Sequence, residues 1–298
     1  MDINDFRKSL NADFFSGVPD SLLNVFCNSL IEEYGDDLTH HVIAANEGNA
    51  VALAAGYYLA TGKVGVVYMQ NSGEGNAVNP ICSLLHPDVY GIPCLFVIGH
   101  RGEPGTKDEP QHVFQGKVTY EQMNLLDIET FALKSDTTVE ELESALEYFQ
   151  ILFANGKSAA IVVSKGALTS DHKFSPPKSL YSLKREEALE IILKHTAEDT
   201  VFVSTTGKTS RELFELRENH ARLKDSNISN DLKLKLQCHK YDFLTVGSMG
   251  HASSIALGIA LHKKHSQIIC VDGDGALLMH MGAMATIGNS NIKNLKTK

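Results

Sequence analysis

The chain has 298 residues, of which 43% are hydrophobic and 21% charged, and its formal net charge is −9. This composition is typical of a globular protein long enough for two domains, and the negative charge argues against a general nucleic-acid surface, which needs a basic face. No apolar run reaches the roughly 18 residues of a membrane span and the N-terminus has no signal-type apolar segment, so we expect a cytoplasmic protein without membrane contact.

In the first half of the chain, short uninterrupted apolar runs alternate with helical patterns. The runs predict strands over residues 64–69, 94–98 and 159–163, and the patterns predict helices over 47–61 and 139–154. Continuous apolar strands are buried on both faces, which indicates a parallel sheet covered by helices. The predicted fold class is therefore α/β, doubly wound.

The alternation stops at residues 169–180, where paired prolines and polar residues predict a linker. It restarts with predicted helices over 185–195, 209–218 and 253–262 and strands over 200–205 and 267–272. We therefore predict two successive α/β domains, over residues 1–168 and 181–298. The polar stretch 219–240 is predicted to be a surface excursion, with an additional contact surface as the alternative.

Two short motifs place a carboxylate next to glycine at the start of a helix. Gly273-Asp274-Gly275 ends a buried-looking strand and opens the apolar helix predicted over residues 276–282. Such a turn lets backbone and carboxylate approach a metal-bound diphosphate together, although glycines there could simply supply a positive φ. Glu47 begins the predicted helix at 47–61 with Asn46 as its cap, and the simpler interpretation is a favourable anion in a first helical turn.

Two familiar phosphate motifs are disfavoured. Gly207-Lys208-Thr209 resembles the end of a P-loop, but the first glycine of that motif would fall at Phe202. Gly73-Glu74-Gly75 begins a dinucleotide fingerprint, but Val78 stands where the third glycine is required. A nucleotide-dependent kinase and an NAD dehydrogenase are therefore both disfavoured.

A family resemblance unites the two carboxylate motifs with five further segments. These are Phe15-Ser-Gly-Val-Pro-Asp20, Gln70-Asn-Ser-Gly73, the stretch 101–112, Thr206-Gly-Lys-Thr-Ser-Arg-Glu212 and Thr245-Val-Gly-Ser-Met-Gly-His251. In that order they resemble the phosphonopyruvate decarboxylases, which are thiamine diphosphate-dependent 2-oxo acid decarboxylases, over nearly the whole chain. Sulfopyruvate decarboxylase is the close relative. The resemblance implies a pyrimidine-binding first domain and a diphosphate-binding second domain, joined in a homodimer or higher homo-oligomer in which Glu47 and Asp274 face each other across subunits.

The resemblance also implies roles for individual residues. Asp274 would bind Mg²⁺, a hard cation that prefers oxygen ligands. Glu47 would share a proton with the aminopyrimidine ring of the cofactor, and Met249 would hold the cofactor bent. The backbone and charge around Lys208 would bind the diphosphate. The full predicted cofactor set is Gly207, Lys208, Gly247, Ser248, Met249, Gly273, Gly275 and Ala276.

The substrate would be a small anionic 2-oxo acid of phosphonate metabolism, phosphonopyruvate, converted to phosphonoacetaldehyde and CO₂. Arg101, Lys107 and His112 lie in a stretch rich in glycine and proline, which predicts a loop. Three potential cations there suit a phosphonate or a sulfonate, and Asp20 is a further candidate for substrate binding or proton transfer. The alternative is a solvated loop in which Asp108 and its neighbour neutralise the cations.

Two departures from the family pattern leave a non-catalytic member, which only dimerises or binds ligand, as an alternative. The family's second metal ligand follows the helix after Gly-Asp-Gly, whereas this sequence stops where the next strand should begin, so we expect a C-terminally truncated second domain. The nearest substitutes are Asn289, Asn291 and Asn294. Glu74 stands where an apolar residue is expected, and burial would make its carboxylate costly.

Overall fold

The computed structural model describes residues 1–174, 181–224 and 238–297. The chain divides into two compact units, Met1–Pro176 and Pro177–Lys298. Residues 175–180 of the predicted linker lie outside the described residues. Within the described ranges, no helix combines the length and the apolar character that crossing a membrane requires.

The first unit is built on a six-stranded parallel sheet with the order β2-β1-β3-β4-β6-β5. Its strands are β1 Phe15–Gly17, β2 His41–Ile43, β3 Gly65–Gln70, β4 Cys94–Gly99, β5 Glu129–Leu133 and β6 Ala159–Val163. Its helices are α1 Ile3–Leu10, α2 Asn24–Tyr34, α3 Glu47–Thr61, α4 Glu74–Pro80, α5 Pro110–Leu125 and α6 Val139–Ala154. A short 3₁₀ turn precedes α4 and a π-helical turn follows it.

Helices cover both faces of this sheet, as the uninterrupted apolar runs predicted. Alternate residues of β3 and β4 point to opposite faces, so each strand contributes to two hydrophobic layers. One layer packs against α1, α2 and α6 and includes Val66, Tyr68, Leu95, Val97 and Ile161. The other packs against α3 and α4 and includes Val67, Met69, Phe96, Ile98 and Ala160.

The second unit contains a four-stranded parallel sheet with the order β10-β9-β7-β8. Its strands are β7 Val201–Ser204, β8 Asp242–Leu244, β9 Ile268–Val271 and β10 Leu295–Thr297. Its helices are α7 Arg185–Lys194, α8 Lys208–Lys224, α9 Ala252–His262, α10 Asp274–Met279 and α11 Gly282–Asn289. The described residues of both faces again form apolar layers, so both units have the predicted doubly wound parallel-sheet architecture.

Several element boundaries differ from the predictions by one or two residues, and three differences affect the candidate site or the predicted surface excursion. The stretch 101–112 is not wholly a loop, because α5 begins at Pro110 and contains His112 in its first turn. Proline suits that first position because its φ is fixed and its missing N–H would have had no helical partner. The helix after β9 begins at Asp274 rather than Ala276. In the predicted surface excursion, residues 219–224 continue α8, and residues 225–237 lie outside the described residues.

Candidate functional site

The candidate residues of the first unit follow the carboxyl ends of adjacent parallel strands, where α/β folds bind ligands. Glu47 follows β2, Asp20 follows β1, and Arg101 follows β4. The 3₁₀ turn Asn71–Gly73 and Glu74 follow β3, which lies between β1 and β4. The strand order therefore brings residues that are distant in sequence to one edge of the sheet.

Glu47 lies at the start of α3 and is only 5% exposed. The predicted cap is present, because the Asn46 side chain accepts a hydrogen bond of 2.9 Å from the backbone N–H of Asn49. Asn76 Nδ2 donates to Glu47 Oε2 at 2.7 Å. A Cβ atom at position 73 would collide with the Glu47 carboxylate, so the glycine there allows the carboxylate to lie against the turn.

Asp20 is a second buried carboxylate at this edge. Gln70 Nε2 donates to its Oδ1 at 2.5 Å, and the backbone N–H of Leu22 donates to its Oδ2 at 3.2 Å. Burial raises the pKa of Asp20, outweighing the opposite effects of the Gln70 hydrogen bond and the charge of Arg101. The side chain therefore holds a proton at higher pH than an ordinary aspartate.

Arg101 is held by Asp108 of its own loop and by Ser21 of the loop after β1. Its Nε and Nη2 donate to the two oxygens of Asp108 at 2.8 and 2.5 Å, and its Nη1 donates to Ser21 Oγ at 2.9 Å. The hydrogen bonds from Arg101 hold the pKa of Asp108 below its usual range. The local neutralisation that we considered as the alternative is therefore present at Arg101. Lys107 is exposed and forms no ion pair with the described residues.

His112 is half-buried in the first turn of α5. A Cβ atom at Gly102 would collide with the carbonyl of His112, and one at Gly116 would collide with the carbonyl of Gly102. This close backbone approach holds the start of α5 against the loop that carries Arg101. Burial, followed by the positive charge of Arg101, lowers the pKa of His112.

Glu74 is fully buried, as expected if its loop lines the site. Gln115 Nε2 lies 3.4 Å from its Oε2, and its Oε1 has no hydrogen-bond partner. Burial raises the pKa of Glu74 to about 8. The expected cost of a buried carboxylate is therefore avoided at neutral pH by keeping the proton.

In the second unit, three loops follow the carboxyl ends of neighbouring strands β9, β7 and β8. The Ser210 hydroxyl joins two of them, because its Oγ lies within hydrogen-bond distance of the carbonyls of Thr205 and Thr245, at 2.7 and 2.8 Å. Gly207 has a φ of +80°, and α8 begins at the next residue, Lys208. The first backbone N–H groups of such a helix lack helical partners and suit an anion.

The loop after β8 contacts the turn after β9. Ser248 and Gly250 have φ values of +56° and +87°. Met249 is 40% exposed, and its Cε lies 3.6 Å from a Cβ atom built on Gly275. A Cβ on Gly250 would lie 2.6 Å from the His280 ring and 3.2 Å from the Ala276 carbonyl, so only glycine permits this approach. Gly247 is half-buried in the same loop.

Two carboxylates flank Gly273 at the end of β9. Asp274 is exposed, and its Oδ1 accepts from the N–H of Gly275 at 2.8 Å. Asp272 Oδ1 accepts from the N–H of Gly273 at 3.0 Å, while its buried Oδ2 has no hydrogen-bond partner. Oxygen donors of this kind fit a hard divalent cation that a diphosphate also ligates. Among the described residues, no three His, Cys, Asp or Glu side chains form a metal cluster.

Asn294, one of the three asparagines considered as a second metal ligand, lies at the other end of β9 from Asp274. Its backbone carbonyl accepts from the N–H of Ile268 at 2.8 Å, which places it beside the start of β9, whereas Asp274 follows the end of that strand. Its side-chain amide donates to three backbone carbonyls, those of Ala260, Lys263 and Ser266. Asn289 ends α11 and Asn291 lies in the turn before β10. Both therefore come just before the start of a strand, whereas Asp274 follows the end of one.

Some partners of the candidate residues were not predicted from sequence. Asn76 orients Glu47 and Gln70 orients Asp20, and both occur close to motif residues that did carry a signal. Ser21 and Arg101 are 80 positions apart, so no local pattern indicates their contact.

Comparison with known proteins gives two family matches, one in the first part of the chain and one in the last part. Residues 3–125 match the family described as thiamine pyrophosphate enzyme, N-terminal TPP binding domain. Residues 232–297 match the family described as thiamine pyrophosphate enzyme, C-terminal TPP binding domain.

The chain is also similar to individual decarboxylases. It is 35% identical over 291 residues to phosphonopyruvate decarboxylase of Streptomyces viridochromogenes, a match that covers 92% of this chain and 66% of the relative. The corresponding protein of Streptomyces hygroscopicus is 34% identical, with 91% and 65% covered. The alpha subunit of sulfopyruvate decarboxylase from Methanocaldococcus jannaschii is 35% identical, with 47% and 78% covered.

The chain thus spans somewhat less than two thirds of the length of the two phosphonopyruvate decarboxylases that it matches. The two family matches and these identities agree with the α/β fold. The chain belongs to the thiamine pyrophosphate enzyme family, within the group that includes phosphonopyruvate and sulfopyruvate decarboxylases.

Proposed function

We propose that this chain carries the cofactor and substrate sites of a phosphonopyruvate decarboxylase, which uses thiamine diphosphate and Mg²⁺ to release CO₂ and phosphonoacetaldehyde. The observation that carries the proposal is the Glu47 carboxylate. It is buried at a helix start, one oxygen is fixed by Asn76, and the turn beside it has no side chain at Gly73. A carboxylate held in this way can exchange a proton with a ring nitrogen in a defined geometry.

The bound cofactor would supply the electron sink for the bond that breaks when CO₂ leaves. In the first unit, Glu47 would hold or release the proton at the aminopyrimidine ring, and the Asn76 hydrogen bond would keep its carboxylate oriented. In the second unit, Asp274 would bind Mg²⁺, with the unpartnered oxygen of Asp272 as a neighbouring donor. Backbone groups at Gly207 and Lys208 would bind the diphosphate, and the half-exposed Met249 would support the cofactor.

Substrate recognition is assigned to the charged cluster after β1 and β4. Arg101 would contact the distal anion through the donors that Asp108 leaves available, beside Ser21 and His112. Asp20 would hold a proton close to the reacting atoms, since burial raises its pKa. Lys107, which is exposed, would act by attraction at longer range.

Sulfopyruvate is the second candidate substrate. The ion pair between Arg101 and Asp108 leaves little uncompensated positive charge in the cluster, which suits a singly charged sulfonate. Both subunits of sulfopyruvate decarboxylase are also among the relatives of the chain. Comparing decarboxylation rates with the two substrates decides between them.

A second copy of the chain is the proposed partner. Helix α3 has no charged residue after Glu47 and exposes Ala52, Leu53, Gly56 and Leu59, with Leu59 72% exposed. An apolar helix face of this kind beside a candidate catalytic carboxylate suits a two-fold interface that shields the site from water.

The five cysteines form no disulfide, which fits the reducing environment of the cytoplasm.

The direct test is Glu47→Gln, which keeps the shape of the side chain and its contact with Asn76 but removes the exchangeable acid. We expect cofactor affinity to change little, while exchange of the cofactor's C2 proton, measured by NMR, slows by at least about a hundredfold. CO₂ release from phosphonopyruvate should fall in parallel. Glu143→Gln, on the exposed face of α6, is the matched control. Unchanged C2 exchange in Glu47→Gln would show that the role of Glu47 is only structural.

A further inference from the structure

The charged cluster after β1 and β4 carries less positive charge than its sequence indicates. Its members are Asp20, Arg101, Lys107, Asp108 and His112. Asp108 accepts four hydrogen bonds, from Arg101 Nε and Nη2 at 2.8 and 2.5 Å and from the backbone N–H groups of Gly102 and Glu109 at 2.8 and 2.7 Å. The guanidinium charge is therefore already matched by a carboxylate that is firmly held. An incoming anion does not meet an isolated arginine.

The other two candidate cations, Lys107 and His112, do not replace the positive charge that Asp108 neutralises. Lys107 is exposed to solvent, where its charge is screened. The imidazole of His112 is half-buried and forms no hydrogen bond or ion pair with any described residue. Burial and the charge of Arg101 lower its pKa, so the neutral ring predominates at neutral pH. A head group with two negative charges would enter a cluster whose one unpaired cation among the described residues is the solvent-exposed Lys107.

His112 is the group in this cluster that an anion can most readily convert to a cation. Arg101 is always protonated. Burial raises the pKa of Asp20 against the hydrogen bonds from Gln70 and the backbone, so Asp20 is the competing site for a proton, although protonation makes it neutral rather than cationic. An opposite charge within 4–6 Å raises the pKa of an imidazole by about 1 to 3, so a bound dianion favours the protonated form of His112. The charged groups facing His112 are Arg101, Asp108, Asp20 and Glu109.

We infer that capture of a dianionic head group by this cluster is coupled to the uptake of one proton from solvent by the imidazole of His112. The inference rests on the proposed function for the identity of the substrate, a 2-oxo acid with a distal phosphonate. A singly charged sulfonate requires less compensation, so its binding takes up a smaller fraction of a proton. His112 then acts as a substrate-binding residue whose charge appears only in the complex.

The test is titration calorimetry with 3-phosphonopropanoate, which has the distal phosphonate but no ketone and therefore cannot react. The chain, with thiamine diphosphate and Mg²⁺, is titrated at about pH 8, where the phosphonate is largely dianionic, in HEPES, triethanolamine and Tris buffers, none of which contains a competing phosphate. The slope of the binding heat against the ionisation enthalpy of the buffer gives the number of protons taken up. We expect about one proton for 3-phosphonopropanoate and clearly less for 3-sulfopropanoate.

His112→Gln should abolish the slope and weaken binding of 3-phosphonopropanoate by at least about tenfold, as expected for the loss of one charged hydrogen-bond donor. His40→Gln changes a half-buried histidine just before the start of β2, at the other edge of the sheet; it is the matched control and should keep the slope. The wild-type measurement alone tests the coupling, whatever the stability of the variant.

Equal heats in all three buffers would overturn the inference while leaving the proposed function intact, because decarboxylation is measured separately. A slope that persists in His112→Gln would overturn the assignment to His112 and transfer the proton to Asp20. No binding of 3-phosphonopropanoate to a chain that decarboxylates sulfopyruvate would overturn both the inference and phosphonopyruvate as the substrate.

Discussion

Glu74 should make the stability of the chain depend on pH in a way that one substitution removes. Its carboxyl group is fully buried with one unpartnered oxygen, and its pKa is raised from the ordinary 4.5 to about 8. The unfolded chain releases this proton near pH 4.5, whereas the folded chain keeps it until about pH 8. The contribution of Glu74 to stability is thus fully present below pH 4.5 and is lost as the pH rises from 4.5 to about 8, the window between the two pKa values.

The size of the effect follows from the difference between the two pKa values. Each pKa unit corresponds to about 1.4 kcal/mol, so the full window corresponds to about 5 kcal/mol, as an order of magnitude. Glu74→Gln keeps the size of the side chain and the contact with Gln115 but cannot ionise. The free energy of unfolding of Glu74→Gln relative to the wild type should therefore increase by up to about 1.4 kcal/mol per pH unit across the window.

The assay is urea unfolding followed by far-UV circular dichroism at several pH values between about 5 and 8. Circular dichroism is chosen because the chain has no tryptophan. All other titrating groups are shared by the two proteins and cancel in the difference. Glu143→Gln, at an exposed position, should show no pH-dependent difference. Parallel curves for Glu74→Gln and the wild type would refute the reasoning, because they would mean that the buried group does not hold its proton.

Three further predictions concern the candidate site. Gly73→Ala should displace the Glu47 carboxylate, because the added Cβ would collide with it, and should slow exchange of the cofactor's C2 proton at least about tenfold in the NMR assay. Gly75→Ala is the control, since no atom lies near the Cβ that it adds. Asp108→Asn should free the Nε and Nη2 donors of Arg101 from a charged partner and increase affinity for 3-phosphonopropanoate more than affinity for pyruvate. Equal changes in the two affinities, measured by calorimetry, would contradict this. Asp272→Asn should weaken Mn²⁺ binding, followed by electron paramagnetic resonance with thiamine diphosphate present, by about tenfold; unchanged binding would exclude Asp272 from the metal site.

Several parts of the structure were predictable because they depend on local sequence. The apolar residues of β3 and β4 follow one another without polar interruption, and such strands are stable only between two helical layers. The helix over Glu47–Thr61 was predicted with its bounds, since Asn46 caps it and apolar residues continue through it. The burial of Glu74 also agrees with the family resemblance, which implies an apolar residue at this position.

Other features depended on residues that meet only in the folded chain. Pro110 begins a helix that carries His112, which the glycines and prolines before it had led us to predict as a loop. The Arg101 side chain is oriented by Ser21, 80 positions away, and by Asp108, which the sequence offered only as an alternative partner.

The charge state of the site was also decided by tertiary structure. A sequence shows which side chains can ionise, whereas their pKa values depend on burial and on the distances to other charges. Glu74 holds its proton because the folded chain excludes water from it, and His112 loses its proton because burial and Arg101 both disfavour the imidazolium. The types of residue at the sheet edge were therefore determined by sequence, and their protonation by the packing of distant segments around them.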